Sequence, residues 1–132
     1  MKKIIIIIAA ALVIAGGVAY FVFLKPAPEP EVSFYSPVET FVTNIKDSVR
    51  LLKTSVVLEI STTETEKVTE YLTENNQVIR DIIVFTLREK TEDELRSMGV
   101  EEGLREELKK NISEKMNIDY IQKVYFNDFV IQ

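Results

Sequence analysis

The sequence has no cysteine, no histidine and no tryptophan among its 132 residues. Without cysteine there is no disulfide, no thiolate nucleophile and no lipobox-type lipid anchor. Without histidine there is no imidazole base and no Ser-His-Asp triad. The two absences together remove the Cys/His zinc sites. Glycine is scarce, and Gly16, Gly17, Gly99 and Gly103 form neither a Walker A nor a G-x-G-x-x-G spacing. The D-x-[DN]-x-[DN]-G pattern of a calcium loop is also missing. Basic residues are outnumbered 16 to 21, for a net charge of −5, which argues against nucleic acid or another phosphate-rich partner. Carboxylates are the only acid–base groups left in quantity. The expectation is therefore a protein without catalytic residues, cofactor or metal.

Apolar residues make up 46% and charged ones 28%, the balance of a globular chain rather than a disordered one. The length allows one small domain and an appendage. All 21 acidic residues lie after residue 28, and Ile4 to Leu24 contains no charge at all. As a helix that stretch spans about 31 Å, the thickness of a bilayer core. Lys2 and Lys3 flank its start, while Glu29 and Glu31 follow soon after Lys25. The positive-inside bias then places the N-terminus in the cytoplasm and the rest outside the inner membrane. The rival reading is a cleaved signal, with Ala15-Gly16-Gly17-Val18-Ala19 as the cleavage region. The run Tyr20 to Leu24 extends the apolar stretch to full spanning length, which favours an uncleaved anchor. Gly16-Gly17 lacks the GxxxG spacing of a dimerising span.

Prolines at 26, 28 and 30 forbid helix and favour an extended polyproline spacer. The expected layout is an N-terminus and anchor at 1–24, a linker at 25–32 and an extracytoplasmic domain at 33–132. Within that domain, Val38 to Asn44 reads as a strand. Val49 to Ile60 reads as a longer one, with Leu52, Thr54, Val56, Leu58 and Ile60 on one face and Leu51, Lys53, Ser55, Val57 and Glu59 on the other. The two form an antiparallel hairpin. Thr62 to Glu74 shows a helical stripe of Val68, Tyr71 and Leu72. Val78 to Arg88 fits a helix through Val78, Ile79, Ile82, Ile83 and Thr86, although Ile82-Ile83-Val84 also suits a strand. Thr91-Glu-Asp-Glu94 is a capping box. Leu104, Leu108, Ile112 and Met116 recur every fourth residue in a helix from Val100, with Glu101/Arg105 and Glu106/Lys110 as surface pairs. Ile121 to Ile131 is a terminal strand, interrupted at Asn127-Asp128 by a bulge. The order β-β-α-α-α-β predicts an α+β domain, a small, largely antiparallel sheet packed with about three helices.

Glu92-Asp93-Glu94 and Glu101-Glu102 are the densest acidic clusters, and both read as helix N-termini rather than a catalytic pair. A signal-anchored hydrolase would need two carboxylates across a cleft, which no spacing indicates. Arg80-Asp81 interrupts an apolar stretch; it reads as an exposed pair or, more sharply, as a contact with a neighbouring subunit. Asn111-Ile-Ser113 matches a glycosylation sequon but falls mid-helix. Tyr125, Phe126 and Phe129 read as core rather than a ligand platform.

Several blocks together carry a family likeness: Tyr35-Ser-Pro-Val-Glu-Thr-Phe-Val-Thr-Asn44, Arg50-Leu-Leu-Lys-Thr-Ser-Val-Val-Leu-Glu59, Ile79-Arg-Asp-Ile-Ile83, Lys90-Thr-Glu-Asp-Glu-Leu95 and Val124-Tyr-Phe-Asn-Asp-Phe-Val-Ile-Gln132. With the anchor and linker ahead of them, the chain resembles the flagellar basal-body-associated FliL family over nearly its whole length. Gly99-Val-Glu-Glu-Gly103 and the lack of a proline just before Val78 depart from the family pattern. The resemblance implies a stomatin-type (SPFH) domain, a homo-oligomeric ring and a non-enzymatic role beside flagellar stator proteins of the MotA/MotB type. It also implies residence at the inner membrane, with the ring around the stator linker. A generic stomatin-like scaffold is the alternative, and stator or motor-switch genes beside this one would argue against it.

The orientation is open to direct test. With a single cysteine placed in the proline linker as the only thiol, intact cells should label with an impermeant maleimide, whereas a cysteine beside Lys2 should label only after permeabilisation. The reverse pattern would refute an N-in span.

Overall fold

A computed structural model describes residues 1–132. Helix α1 (Lys2–Ala19) runs on into a π-helical turn, Tyr20–Leu24. Together they make one apolar helix, Lys2–Leu24, with no buried residue, long and apolar enough to cross a membrane. It stops where Lys25 turns extended at ψ 124°, as a residue preceding proline must. Lys25 to Pro30 forms neither helix nor strand.

The domain contains β1 (Glu31–Tyr35), β2 (Phe41–Asn44), β3 (Leu51–Thr62), α2 (Thr65–Glu74), α3 (Asn76–Arg88), α4 (Glu92–Arg96), α5 (Val100–Met116) and β4 (Ile121–Ile131). The class is α+β with an antiparallel sheet, as expected, but the order is β-β-β-α-α-α-α-β. The extra strand is β1, which begins at Glu31, inside the stretch read as linker. It is short and abuts the prolines, so nothing local marks it as a strand. The ambiguous segment at 78–88 is helix: Ile79, Ile82, Ile83, Thr86 and Leu87 are all buried along one side of α3.

Every strand pairs with β3. β4 runs antiparallel along Leu52 to Ile60, while β2 covers Leu51 to Thr54 and β1 covers Leu58 to Thr62. Since β4 overlaps both of the others, β1 and β2 must share the opposite edge of β3, one at each end. They amount to one edge strand broken at Ser36 to Thr40. Pro37 sits in the break, where its missing N–H costs no ladder bond. The Ser36 hydroxyl makes a long bond, 3.4 Å, to the carbonyl of Val56 in the gap.

The helices cover one face of the sheet. Leu52, Thr54, Val56, Leu58 and Ile60 point into the core, as their alternation predicts. Thr54 is polar and fully buried, and its hydroxyl donates to the carbonyl of Asp128 at 2.5 Å. Ser55 donates to the Asp128 carboxylate at 2.9 Å. At this point β4 carries its expected bulge: the register jumps from Ser55↔Asp128 to Val56↔Phe126, leaving Asn127 unpaired.

Helix α5 buries Leu104, Leu108, Ile112 and Met116. It ends in a Schellman motif, with Asn117 left-handed at φ 54° and Ile118 N–H donating to Ser113 at 3.0 Å. Its surface pairs differ from expectation. Arg105 reaches Glu102 one turn back at 3.2 Å rather than Glu101, and Glu106/Lys110 form no bridge. Glu107 instead holds Lys90 at 2.7 Å. Tyr71 and Val78, read as stripe residues, are exposed.

The two glycines around α5 should respond oppositely to alanine. Gly99 sits at φ +79°, where a Cβ is strained, whereas Gly103 is helical with open space around its missing Cβ. Thermal unfolding should show Gly99→Ala losing about 1 kcal/mol and Gly103→Ala gaining up to about 1 kcal/mol. Equal shifts would contradict this backbone.

Candidate functional site

Both acidic clusters lie in the first turn of a helix, and Glu94 completes a cap. Thr91 accepts from the Glu94 N–H at 3.3 Å, and the Glu94 carboxylate accepts from the Thr91 N–H at 2.8 Å, the reciprocal box. Those bonds hold the Glu94 carboxyl below its usual range. Glu92, the first residue of α4, accepts from Arg96 at 2.9 Å and from Ser48 at 3.1 Å, with Arg50 at 3.7 Å. Its carboxyl is likewise lowered, chiefly by Arg96. Asp93 is exposed, as are Glu101 and Glu102 on α5. No group of three or more His, Cys, Asp or Glu residues is placed to hold a metal.

The remaining candidates separate. Asp81 is exposed on α3, and its neighbour Arg80 keeps a buried Nε that has no hydrogen-bond partner. Asn111 of the sequon donates to Thr86 at 3.1 Å, joining α5 to α3. Phe126 and Phe129 pack edge to face at 5.4 Å on the helix side of β4.

Tyr125 faces the other way. It lies opposite Val57 on the outer face of the sheet, the side no helix covers. Its hydroxyl donates to Glu59 at 2.5 Å, which raises its pKa because the phenol must stay protonated to make the bond. Phe34 of β1 approaches its ring at 6.4 Å. The ladders place the other outer residues: Val32 beside Ser61, Phe34 beside Glu59, and Val42 beside Lys53, with Val130 on Lys53's far side. Phe34 is 65% and Val42 54% exposed. The outer face is thus an apolar field of Val32, Phe34, Val42, Val57, Tyr125 and Val130 with charges set among them. Such a surface has the composition of a contact site. Sequence reasoning registered only the β3 members. Val32 was hidden in the assumed linker and Phe34 lay just beyond it in no expected strand, although the alternation Val32-Ser33-Phe34 was there to be read.

The class is therefore a small α+β domain with an apolar outer sheet face, preceded by a helix long and apolar enough to cross a membrane. Residues 34–132 match the family model for the flagellar basal body-associated protein FliL. A flagellar protein FliL of Aquifex aeolicus (strain VF5) is 32% identical over 111 residues, covering 82% of this chain and 66%, just under two thirds, of that relative. The chain belongs to the FliL family.

The carboxylates of α4 set an acid limit. Both Glu92 and Glu94 have folded pKa values below the ordinary 4.5. Their stabilisation is full above that value and is lost as pH falls through the lower folded values. Melting temperature measured from pH 7 down to pH 3 should fall below about pH 4.5, and Glu92→Gln/Glu94→Gln should flatten that fall. An equally steep fall in the variant would assign the acid limb elsewhere.

Proposed function

We propose that this protein is a non-enzymatic accessory of the flagellar motor. It is held N-in by α1 and associates with stator units of the MotA/MotB type as a ring around the stator linker. The observation that carries the reading is the family match over the whole domain, joined to an apolar helix of spanning length. The SPFH-type likeness of the family supports ring formation, since such domains self-associate. The physical logic is multivalency. Each small domain offers a modest surface, and anchoring many copies in one membrane raises their effective concentration, so weak contacts suffice. The Pro26-Pro28-Pro30 spacer limits how far each domain stands from the bilayer, about 20 Å for an extended polyproline stretch. Holding the stator linker extended would keep the stator open to ions and engaged with the rotor.

The test is stator number and torque in tethered cells under high load. A deletion strain should assemble filaments yet lose torque and stator retention. A variant with Lys25 to Pro30 replaced by a long Gly/Ser stretch should lose part of that activity while its domain stays folded. Wild-type torque and stator retention in the deletion strain, with no co-purification of the stator, would refute the reading.

A further inference from the structure

We propose that the outer face of the sheet is where two copies of this chain pair face to face, their β3 strands antiparallel across the contact. The face has a register of its own. Taking each position by its neighbour on β3, Phe34, Glu59 and Lys123 share one row, and Val42, Lys53 and Val130 share another six residues along. Between them lie Val57 with Tyr125 and Ser55 with Asp128. Turn a second copy about an axis that runs across the strands, midway between those rows. Lys53 then meets the partner's Glu59 and Phe34 meets the partner's Val42, each contact occurring twice. Tyr125 falls against the partner's Asp128.

Charge selects this arrangement. The chain carries a net −5, yet this face holds two cations, Lys53 and Lys123, and two anions, Glu59 and Asp128. Rotation about an axis along the strands would instead put Lys53 on Lys53 and Glu59 on Glu59, and like charges facing one another are repulsive. The axis across the strands keeps both β1 edges on one side, so linkers entering at β1 can reach a bilayer on that side.

Three strands about 4.8 Å apart and some ten residues long at about 3.3 Å each bury about 500 Å² per copy. A total near 1,000 Å² is at the lower end for a stable complex, so the pair depends on shared anchoring. Pairing goes beyond the motor reading and does not rest on it. An isologous contact closes at two copies, so a ring needs a different, heterologous surface.

The natural absence of cysteine makes the test clean. The full chain is reconstituted in phosphatidylcholine vesicles as Phe34→Cys, as Val42→Cys, or as a mixture of the two. Both positions are exposed, so folding, followed by circular dichroism, should be unaffected. Sheets packed face to face stand about 10 Å apart, too far for a direct disulfide, so a short bismaleimide serves as the cross-linker. The mixture should give cross-linked dimers. Neither variant alone should, because like positions lie about 20 Å apart along the contact, beyond the reagent's reach. Adding Lys53→Glu to both partners should cut the mixed yield about tenfold, and adding Glu59→Lys as well should restore it. Cross-linking of either variant alone, or none in the mixture, would overturn the pairing. Thiols shielded from soluble maleimide without cross-linking would also overturn it, since lipid or another protein would then cover the face.

Discussion

The domain is organised by one strand. β1, β2 and β4 all bond to β3 and to no other strand. Its inner face supplies Leu52, Val56, Leu58 and Ile60 to the core, and its outer face supplies the centre of the free surface. The polar break in its apolar row, Thr54, can stay buried only because the bulge in β4 turns the Asp128 carbonyl toward it. A buried hydroxyl without a partner is costly, so Thr54 and the bulge depend on each other. The same bulge re-phases β4, and the residues beyond it, Phe129 and Ile131, still face inward opposite Thr54 and Leu52.

What the sequence revealed and what it hid divide by range. The four-residue recurrence in α5, the Thr91 box and the alternation of β3 are each contained in a short window, and each was legible. β1 was not, because its partners lie far off: Glu31 pairs with Thr62 and Tyr35 with Leu58. A five-residue strand beside three prolines gains its stability from that pairing and not from its own composition. Surface ion pairs failed for a different reason. Arg105 has several acids within reach, and rotamer geometry chose Glu102 over Glu101. The outer face was illegible as a unit, since Phe34, Val42, Val57 and Tyr125 come from four strands. Its family was legible because motifs along the chain survive as text.

A two-layer fold gives one face of the sheet to the helices, and what happens to the other depends on its residues. Here the outer alternate positions are not uniformly polar. A solvated antiparallel face would show charge and threonine where this one shows Val32, Phe34, Val42 and Val130. The helix-side core lies on the other face, so Val32, Phe34, Val42 and Val130 stay largely exposed and are free to pack against something outside the domain.

The tether constrains that contact further. Pro28, Glu29, Glu31, Glu64, Glu66 and Lys67 gather where the linker meets β1 and the start of α2. Four of these are carboxylates and one is a lysine. With α1 in a bilayer this end is the nearest to lipid, and an anionic leaflet disfavours bringing such a surface down onto it. Electrostatic repulsion and the polyproline spacer then act in the same direction: both hold the domain, and with it the apolar face, off the lipid.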